Sequence, residues 1–140
     1  MMDLKENIIK STQDAEIHED PFDHLYIENF FEHSFYEEIL ANIPNINVYE
    51  KIADTGRVTK DYNPSRYILD LQADLNKLNN KQQNFWKNIN DILSSQEFWI
   101  VISKKFKNAL TERFKFMTEN ERKIINEKSK IYFKSQLVKD

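Results

Sequence analysis

The fold of this chain is decided by residues 21–31, PFDHLYIENFF, and by residues 34–37, SFYE, which follow at once. Residues 24–27 alternate so that Leu25 and Ile27 share one face, a pattern typical of a half-buried strand. Ser34 and Glu37 have the spacing of a capping box, in which each side chain satisfies a free amide at the helix start. We therefore expect a strand, a turn and a helix in this order.

The expected helix runs from Ser34 to Ile43 and stops at Pro44, because proline lacks the amide hydrogen that a continuing helix needs. Four apolar residues fall on one face at helical spacing, and we expect that face to pack on a core. They are Phe35, Ile39, Leu40 and Ile43.

Composition indicates one folded domain in which helices dominate. The chain has 140 residues, of which 40% are hydrophobic, 31% charged and 13% aromatic, values typical of a globular protein. One glycine and three prolines are too few for an all-β sandwich or a glycine-rich phosphate loop. The fold class that we predict is α+β.

The charge and the cysteine content make several classes of function less favoured for this chain. A net charge of −3 with both signs interspersed does not favour a nucleic-acid surface. The absence of cysteine removes disulfides, thiolate metal sites and cysteine nucleophiles, and is compatible with the cytoplasm. No apolar run approaches the ~18 residues of a membrane span, and the polar start lacks the apolar region of a signal peptide. We expect a soluble cytoplasmic protein.

The other elements of the first half are short. Residues 1–19 are expected to be a polar N-terminal segment, with a weak or frayed helix over residues 3–15, ahead of a folded part at 20–140. One or two irregular strands are expected between Asn45 and Arg57. Gly56 and Asn63-Pro64 indicate turns. Residues 66–71 alternate, which predicts a strand.

The second half is expected to hold two long helices, over residues 82–93 and 95–116. The first has a wide apolar stripe that includes Phe85, Trp86 and Ile89. Ser94 and Glu97 predict a capping box at the start of the second. We expect its stripe to make the largest hydrophobic contribution in the chain. That stripe is Phe98, Trp99, Ile102, Phe106, Ala109, Leu110 and Phe114.

Two further patterns follow the long helices. Thr118 and Glu121 predict a third capping box, ahead of Ile124 and Ile125. Residues 131–140 turn apolar again, which predicts the beginning of a strand.

The Pro-Phe-x-His strand, the Asn-Phe-Phe turn, the short amphipathic helix and the closing Ile-Pro resemble the first segment of 2-oxoglutarate/Fe(II)-dependent oxygenases of the prolyl-hydroxylase type. The resemblance extends over residues 20–140 through the order and spacing of its helices. It implies the N-terminal helices and short strands of a double-stranded β-helix, or jelly-roll, truncated before the barrel core. The expected strand at residues 132–140 resembles the lead-in to the catalytic motif.

Enzymes of that family bind Fe(II) through a His-x-Asp pair and a later His, with coordination positions left open. His18-Glu19-Asp20 matches the first pair, but it precedes the first strand, and only His24 and His33 follow it. We interpret residues 18–20 as a surface turn and His24 as a partly buried structural histidine. No residue is assigned to catalysis, to cofactor binding or to a metal.

Other polar pairs have ordinary explanations. Asp70 with Asp74, and Glu28 with Glu32, are carboxylates at i, i+4 without a histidine, and we expect solvated acids. The basic residues Lys104, Lys105, Lys107 and Arg113 are expected to form the solvated face of the long helix. Trp86 and Trp99 are interpreted as core residues. Arg66 matches a recurrent arginine of the resembling family, and a structural salt bridge is the simpler expectation.

Two hypotheses about function follow. The resemblance implies the N-terminal part of a dioxygenase that would use Fe(II) and 2-oxoglutarate to hydroxylate a C–H bond. Without the metal ligands, the 140 residues are expected to be inactive by themselves. The partner would then be the missing C-terminal oxygenase half or another protein chain, with no nucleic acid and no membrane. The alternative is a small non-catalytic helical domain that presents an apolar face to a partner protein.

Overall fold

The structure is a computed structural model that describes residues 3–59, 61–121 and 136–139. It contains both helices and small antiparallel sheets, which confirms the α+β class in its general form. The helices are α1 Leu4–Asp14, α2 His33–Ala41, α3 Asn80–Leu93, α4 Gln96–Lys105 and α5 Lys107–Lys115. The strands are β1 Ile17–His18, β2 His24–Leu25, β3 Glu50–Lys51, β4 Tyr67–Asp70 and β5 Gln136–Lys139.

Tertiary contacts divide the chain into two compact units. The first comprises Met1–His33 and Ser95–Tyr132, and the second comprises Ser34–Ser94 and Phe133–Asp140. Within the described ranges, none of the helices combines the length and the apolar character needed to cross a membrane.

In the first unit, α1 packs on α4. Ile8 is completely buried, and Thr12 one turn later is also buried, where its hydroxyl donates to the Ile8 carbonyl oxygen at 2.8 Å. An ion pair from Lys5 Nζ to Glu97 Oε1, 2.8 Å long, joins the two helices at the surface. The N-terminal helix expected to be weak is therefore an 11-residue helix with a buried side.

β1 and β2 form a two-stranded antiparallel ribbon in the first unit, with Ile17 opposite Leu25 and His18 opposite His24. The expected strand over residues 24–27 is confirmed only for His24–Leu25. Asn29 takes a positive φ of 52°, which asparagine tolerates better than most residues, and the chain turns before α2.

The second unit is built on a three-stranded antiparallel sheet in the order β3-β4-β5. β4 is the central strand, and the strand predicted at residues 66–71 is confirmed for Tyr67–Asp70. The predicted terminal strand is confirmed for Gln136–Lys139, which pairs along β4 from Tyr67↔Lys139 to Asp70↔Gln136. Residues 131–135 of that prediction lie outside the described residues.

The core of the second unit lies between the sheet and α3. Its buried members are Leu69, Leu71, Leu78, Trp86 and Ile89, against which Phe35 and Ile39 of α2 pack. α3 confirms the predicted helix and its stripe, since Trp86, Ile89 and Ile92 are buried. The Asn79 side chain caps α3 by accepting from the Gln82 N–H at 2.9 Å.

The turn predictions are confirmed. Gly56 ends a 3-10 turn, Ile52–Thr55, with a φ of 72°, the left-handed conformation that glycine accepts without strain. Asn63 Oδ1 accepts from the Ser65 N–H at 2.9 Å across the Asn63-Pro64 turn. Between Asn45 and Arg57 the chain forms two 3-10 turns around a two-residue strand, so the irregular path expected there is also present.

The predicted face of α2 is only half correct. Phe35 and Ile39 pack on the core, but Leu40 and Ile43 are exposed and Asn42 is buried in their place. The reason is a hydrogen bond, because the Asn42 carbonyl at the open end of the helix accepts from Trp86 Nε1 at 2.8 Å. α2 also begins at His33, so Ser34 lies in its first turn rather than at the cap.

The long helix predicted over residues 95–116 is two helices that meet at Phe106. Its cap is Ser95, whose Oγ accepts from the Phe98 N–H at 3.2 Å. Ser94 instead finishes α3, since its N–H still donates to the Asn90 carbonyl. The predicted Ser94 capping box is therefore wrong by one residue.

The stripe of that helix is not the main hydrophobic contribution, contrary to expectation. None of its seven members is buried, and the buried residue of α4 is Val101. The buried apolar surface is concentrated in the core of the second unit instead.

The capping box at Thr118 and Glu121 is confirmed in both directions. The Thr118 N–H donates to Glu121 Oε2 at 2.7 Å, and the Glu121 N–H donates to Thr118 Oγ1 at 3.3 Å. The bond from the Thr118 amide holds the pKa of the Glu121 carboxyl below its ordinary value. Ile124 and Ile125 lie outside the described residues.

Candidate functional site

The surface of the second unit carries two features that can bind a partner. The first is the outer edge of β5. β5 pairs with β4 on one side, and no other strand in the described part of the chain lies on its opposite side. Leu137 points to the core, whereas Val138 is 49% exposed. A strand edge of this kind offers backbone N–H and C=O groups to an additional strand.

The second feature is the outward face of α2. Tyr36 and Leu40 stand at i and i+4 on one side of the helix, and Ile43 follows two residues after the last helical residue, Ala41. Their exposed fractions lie between 44% and 50%. Ile46, just after Pro44, is also exposed. We call Tyr36, Leu40, Ile43 and Ile46 the α2 stripe. Apolar residues that remain exposed next to each other are typical of contact surfaces.

The core beneath these features is held in a fixed geometry. Trp86 Nε1 and Gln82 Nε2 both donate to the Asn42 carbonyl, at 2.8 and 3.4 Å. Phe35 stacks on Phe85 with ring centroids 5.6 Å apart. Because α3 thus binds the end of α2 and packs under it, the α2 stripe is presented on a rigid support. Trp86 is a core residue, as predicted, whereas no local pattern predicts its bond to Asn42.

Asp70 is not the solvated acid that its spacing from Asp74 predicted. It is only 7% exposed. Its Oδ1 accepts from the N–H groups of Gln72 and Ala73 at 2.9 and 3.2 Å, and Arg57 Nη2 lies 3.4 Å from its Oδ2. The carboxylate therefore organises the turn that leaves β4, a structural role that explains its burial.

Asp74 completes the same turn. Its Oδ2 accepts from the Asp70 N–H at 3.1 Å, and its own N–H donates to the Asp70 carbonyl at 2.8 Å. Lys77 Nζ lies 2.9 Å from its Oδ1. The two carboxylates thus bind backbone amides and cations, and they do not form an acid/base pair.

Asp70→Ala is expected to lower the free energy of unfolding by about 1–3 kcal/mol, the usual effect of leaving buried donors without an acceptor. Asp70→Asn retains one acceptor oxygen and should have a smaller effect. Chemical denaturation followed by far-UV circular dichroism measures both variants. An Asp70→Ala variant as stable as the parent chain would show that the turn does not depend on this carboxylate.

The predicted histidine and glutamate positions lie in the first unit. His18 is exposed and stacks on His24, with ring centroids 5.3 Å apart. His24 is partly buried, as predicted, and its Nδ1 lies 2.8 Å from the Phe22 carbonyl oxygen. His33 begins α2 and is exposed. Glu28 and Glu32 are both exposed, which agrees with their interpretation as solvated acids.

The structure does not gather these residues into an iron site. Across residues 3–59, 61–121 and 136–139, no three side chains of His, Asp or Glu are arranged to hold a metal ion. Asp20 precedes Pro21 in a cis peptide bond at the tip of the β1–β2 ribbon. His18, Glu19 and Asp20 are all exposed, as expected, but His18 belongs to strand β1, so the surface turn predicted for residues 18–20 is wrong at His18.

The basic residues of α4 and α5 are mostly solvated. Lys104, Lys107 and Arg113 are exposed, as expected. Lys105 differs, because it is partly buried and its Nζ donates to the Ala15 carbonyl oxygen at the end of α1. Lys104 and Lys105 also line an open cavity of about 280 Å³ together with Gln13, Ile100 and Val101.

Arg66 contacts Tyr62. Its Nη1 donates to the Tyr62 hydroxyl oxygen at 2.7 Å, and its guanidinium carbon lies 5.7 Å from the ring centroid. Its carbonyl also accepts from the Ile52 N–H at 3.0 Å. These contacts tie the approach to β4 to the turn after β3.

Two other pKa shifts have structural causes. The hydrogen bond from Lys5 is the main reason that the pKa of the Glu97 carboxyl lies below its ordinary value. Burial raises the pKa of the Tyr49 hydroxyl, which packs against the core of the second unit. Both groups are explained by folding contacts, so neither indicates a catalytic acid or base.

Comparison of the chain with protein-family models, with curated proteins and with solved structures found no match.

Proposed function

We propose that this chain is the non-catalytic N-terminal support layer of a 2-oxoglutarate/Fe(II)-dependent dioxygenase of the prolyl-hydroxylase type. The observation that carries the proposal is the outer edge of β5, along which no strand from residues 3–59 and 61–121 pairs. The exposed α2 stripe supports it, since a layer that covers a barrel needs apolar surface for the contact. The other support is the resemblance of residues 20–140 to the first segment of that family.

In this proposal the chain supplies structure rather than chemistry. The described residues contain no set of three ligands that fits Fe(II). Iron and 2-oxoglutarate would therefore be bound by the C-terminal half, where iron activates O2 for C–H hydroxylation. The part played by this chain is to hold β4 and β5 on the α3 core so that the added strands find a fixed edge. The cytoplasm is the compartment that we propose for it.

β-Strand addition is the mode of contact that we propose for the C-terminal half. A partner strand that pairs along β5 gains affinity from backbone hydrogen bonds. Its specificity comes from contacts between its side chains and Val138 and the neighbours of Val138. β5 is short and carries Lys139, features that discourage indiscriminate pairing at a sheet edge. The partner strand therefore has to be complementary.

A second candidate function is a small helical interaction domain whose partner is an unrelated protein. The α2 stripe favours it, because four exposed apolar residues on α2 and just after it can bind a partner without any added strand. The two candidates differ in what the genome encodes after residue 140. The dioxygenase proposal expects a frame with His-x-Asp and a later His followed by Arg, whereas the interaction domain does not need one.

The decisive experiment combines this chain with the polypeptide encoded downstream. We expect no succinate from the 140 residues by themselves, and Fe(II)-dependent succinate production from the two parts together. Val138→Lys should weaken the association at least about tenfold, or ~1.4 kcal/mol, because it places a charge in the new sheet contact. Phe116→Lys, at an exposed position of the first unit, is the matched control and should have no effect.

Three results would contradict the proposal. They are the lack of a downstream frame with the metal ligands, succinate production by this chain without a partner, and equal effects of Val138→Lys and Phe116→Lys. In the first case the interaction domain becomes the better explanation.

A further inference from the structure

The β1–β2 ribbon places two histidines side by side, a feature that the proposed function does not use. His18 and His24 are direct partners in the antiparallel register. Side chains of such a pair lie on the same face, with their Cβ atoms about 4.5–5.5 Å apart. The two imidazole rings are stacked, with centroids 5.3 Å apart and planes inclined by 28°.

The hydrogen bond of His24 determines which of its nitrogens is available. Nδ1 lies 2.8 Å from the Phe22 carbonyl oxygen. Because a carbonyl oxygen only accepts, we assign the proton to Nδ1, and the neutral ring then carries its lone pair on Nε2. Histidines that bind metals commonly have this arrangement, with one nitrogen bonded to a carbonyl and the other directed to the ion.

The ribbon's own charges favour a cation, whereas Lys105, whose Nζ donates to the Ala15 carbonyl oxygen just before β1, opposes it. Residues 16–25 contain four acidic side chains and no lysine or arginine. The acids are Glu16, Glu19, Asp20 and Asp23, and three of them, Glu16, Glu19 and Asp20, are exposed. A local excess of negative charge raises the concentration of divalent cations near the ribbon.

We propose that His18 and His24 form a two-imidazole site for a divalent late first-row transition metal ion such as Zn²⁺ or Ni²⁺, which imidazole ligands suit. The exposed His18 ring turns about its broad χ2 torsion to bring a nitrogen toward the ion, while the Phe22 carbonyl holds the His24 ring. Water or a group from another molecule completes the coordination. This inference does not depend on the proposed function.

Isothermal titration calorimetry with ZnCl₂, and separately with NiCl₂, tests the site on the full chain without an affinity tag. We expect one equivalent to bind. His18→Gln and His24→Gln should each weaken binding at least about tenfold, since the loss of even an outer contact of a metal ligand has an effect of that size. His33→Gln, which removes an exposed histidine outside the ribbon, should leave the affinity unchanged.

Nuclear magnetic resonance of the imidazole nitrogens gives a second readout, which a purely structural role of the pair would not change. Zn²⁺ should shift Nε2 of His24 while Nδ1 keeps its proton. Circular dichroism verifies that each variant is folded. The inference would be overturned by the absence of binding at 1 mM metal (about −4.1 kcal/mol), by equal losses in His33→Gln and His18→Gln, or by a metal-induced shift at Nδ1 of His24 instead of Nε2.

Discussion

Trp86→Ala is expected to lower the free energy of unfolding by about 3–5 kcal/mol, the range for removal of a large buried aromatic side chain. Trp86 is 4% exposed and lies in the buried cluster of the second unit. The substitution leaves a cavity beside Leu69 and Ile89 and also removes the donor to the Asn42 carbonyl. Both effects act on the contact between α2 and α3.

Urea denaturation followed by far-UV circular dichroism measures this change. Trp86→Phe separates its two parts, because it keeps an aromatic ring in the core but loses the indole N–H. We expect a smaller loss for it, near the ~0.5–1.5 kcal/mol of one hydrogen bond, because Gln82 Nε2 still donates to the Asn42 carbonyl at 3.4 Å. Trp99→Phe is the control at a partly buried position. If Trp86→Ala unfolds at the same urea concentration as the parent chain, the described core does not stabilise the fold.

Ile8→Ala is expected to lower the free energy of unfolding by about 2–5 kcal/mol. Ile8 is completely buried in the first unit, on a helix whose other residues are mostly polar. The docking of α1 therefore depends strongly on this side chain. Amide hydrogen exchange should show the loss of protection in α1, because its backbone bonds open when the helix no longer packs.

Ile8→Val is the graded control for this position. Removal of one methyl group should lower the free energy of unfolding by about 0.5–1.5 kcal/mol. The order parent, Ile8→Val, Ile8→Ala should therefore appear in both the unfolding midpoint and the exchange rates of α1. Equal exchange in all three chains would mean that α1 is not held by Ile8, as its polar sequence first indicated.

The candidate surface could be predicted only in part. The apolar positions of α2 and the terminal strand were both apparent in the sequence. The sequence did not predict which of these apolar residues remain exposed. The apolar face of α2 is wider than the surface that contacts the core, so either side of that face could be the buried one. Asn42 took the inner position through its carbonyl bond to Trp86, and this left Ile43 outside.

The histidine pair shows the same limit. The sequence predicts a surface turn for His18 and a partly buried structural role for His24, with no contact between them. The number of residues between them does not show whether the two side chains lie on the same face of the ribbon. That depends on the register of β1 and β2. The register depends on cross-strand pairing and on the turn between the strands, which short apolar patterns do not specify.

The features that the sequence alone could predict are those that depend on residues close together in the chain. The reciprocal bonds of Thr118 and Glu121, the turn at Gly56 and the buried stripe of α3 each follow from residues within about one or two helical turns of one another. These predictions depend on residues close in sequence, but the capping boxes predicted at Ser34 and Ser94 are equally local and fail, because α2 begins at His33 and α4 at Gln96.

Tertiary structure decided the features that depend on distant residues. The pairing of β4 with β5, the burial of Asp70 and the docking of Ile8 all join or cover segments far apart in the chain. The division of the long helix at Phe106 occurs without a proline or glycine there. For the pairing of β4 with β5 and the burial of Ile8, the free energy comes from packing and hydrogen bonds that form only when remote segments meet, so the local pattern does not contain them.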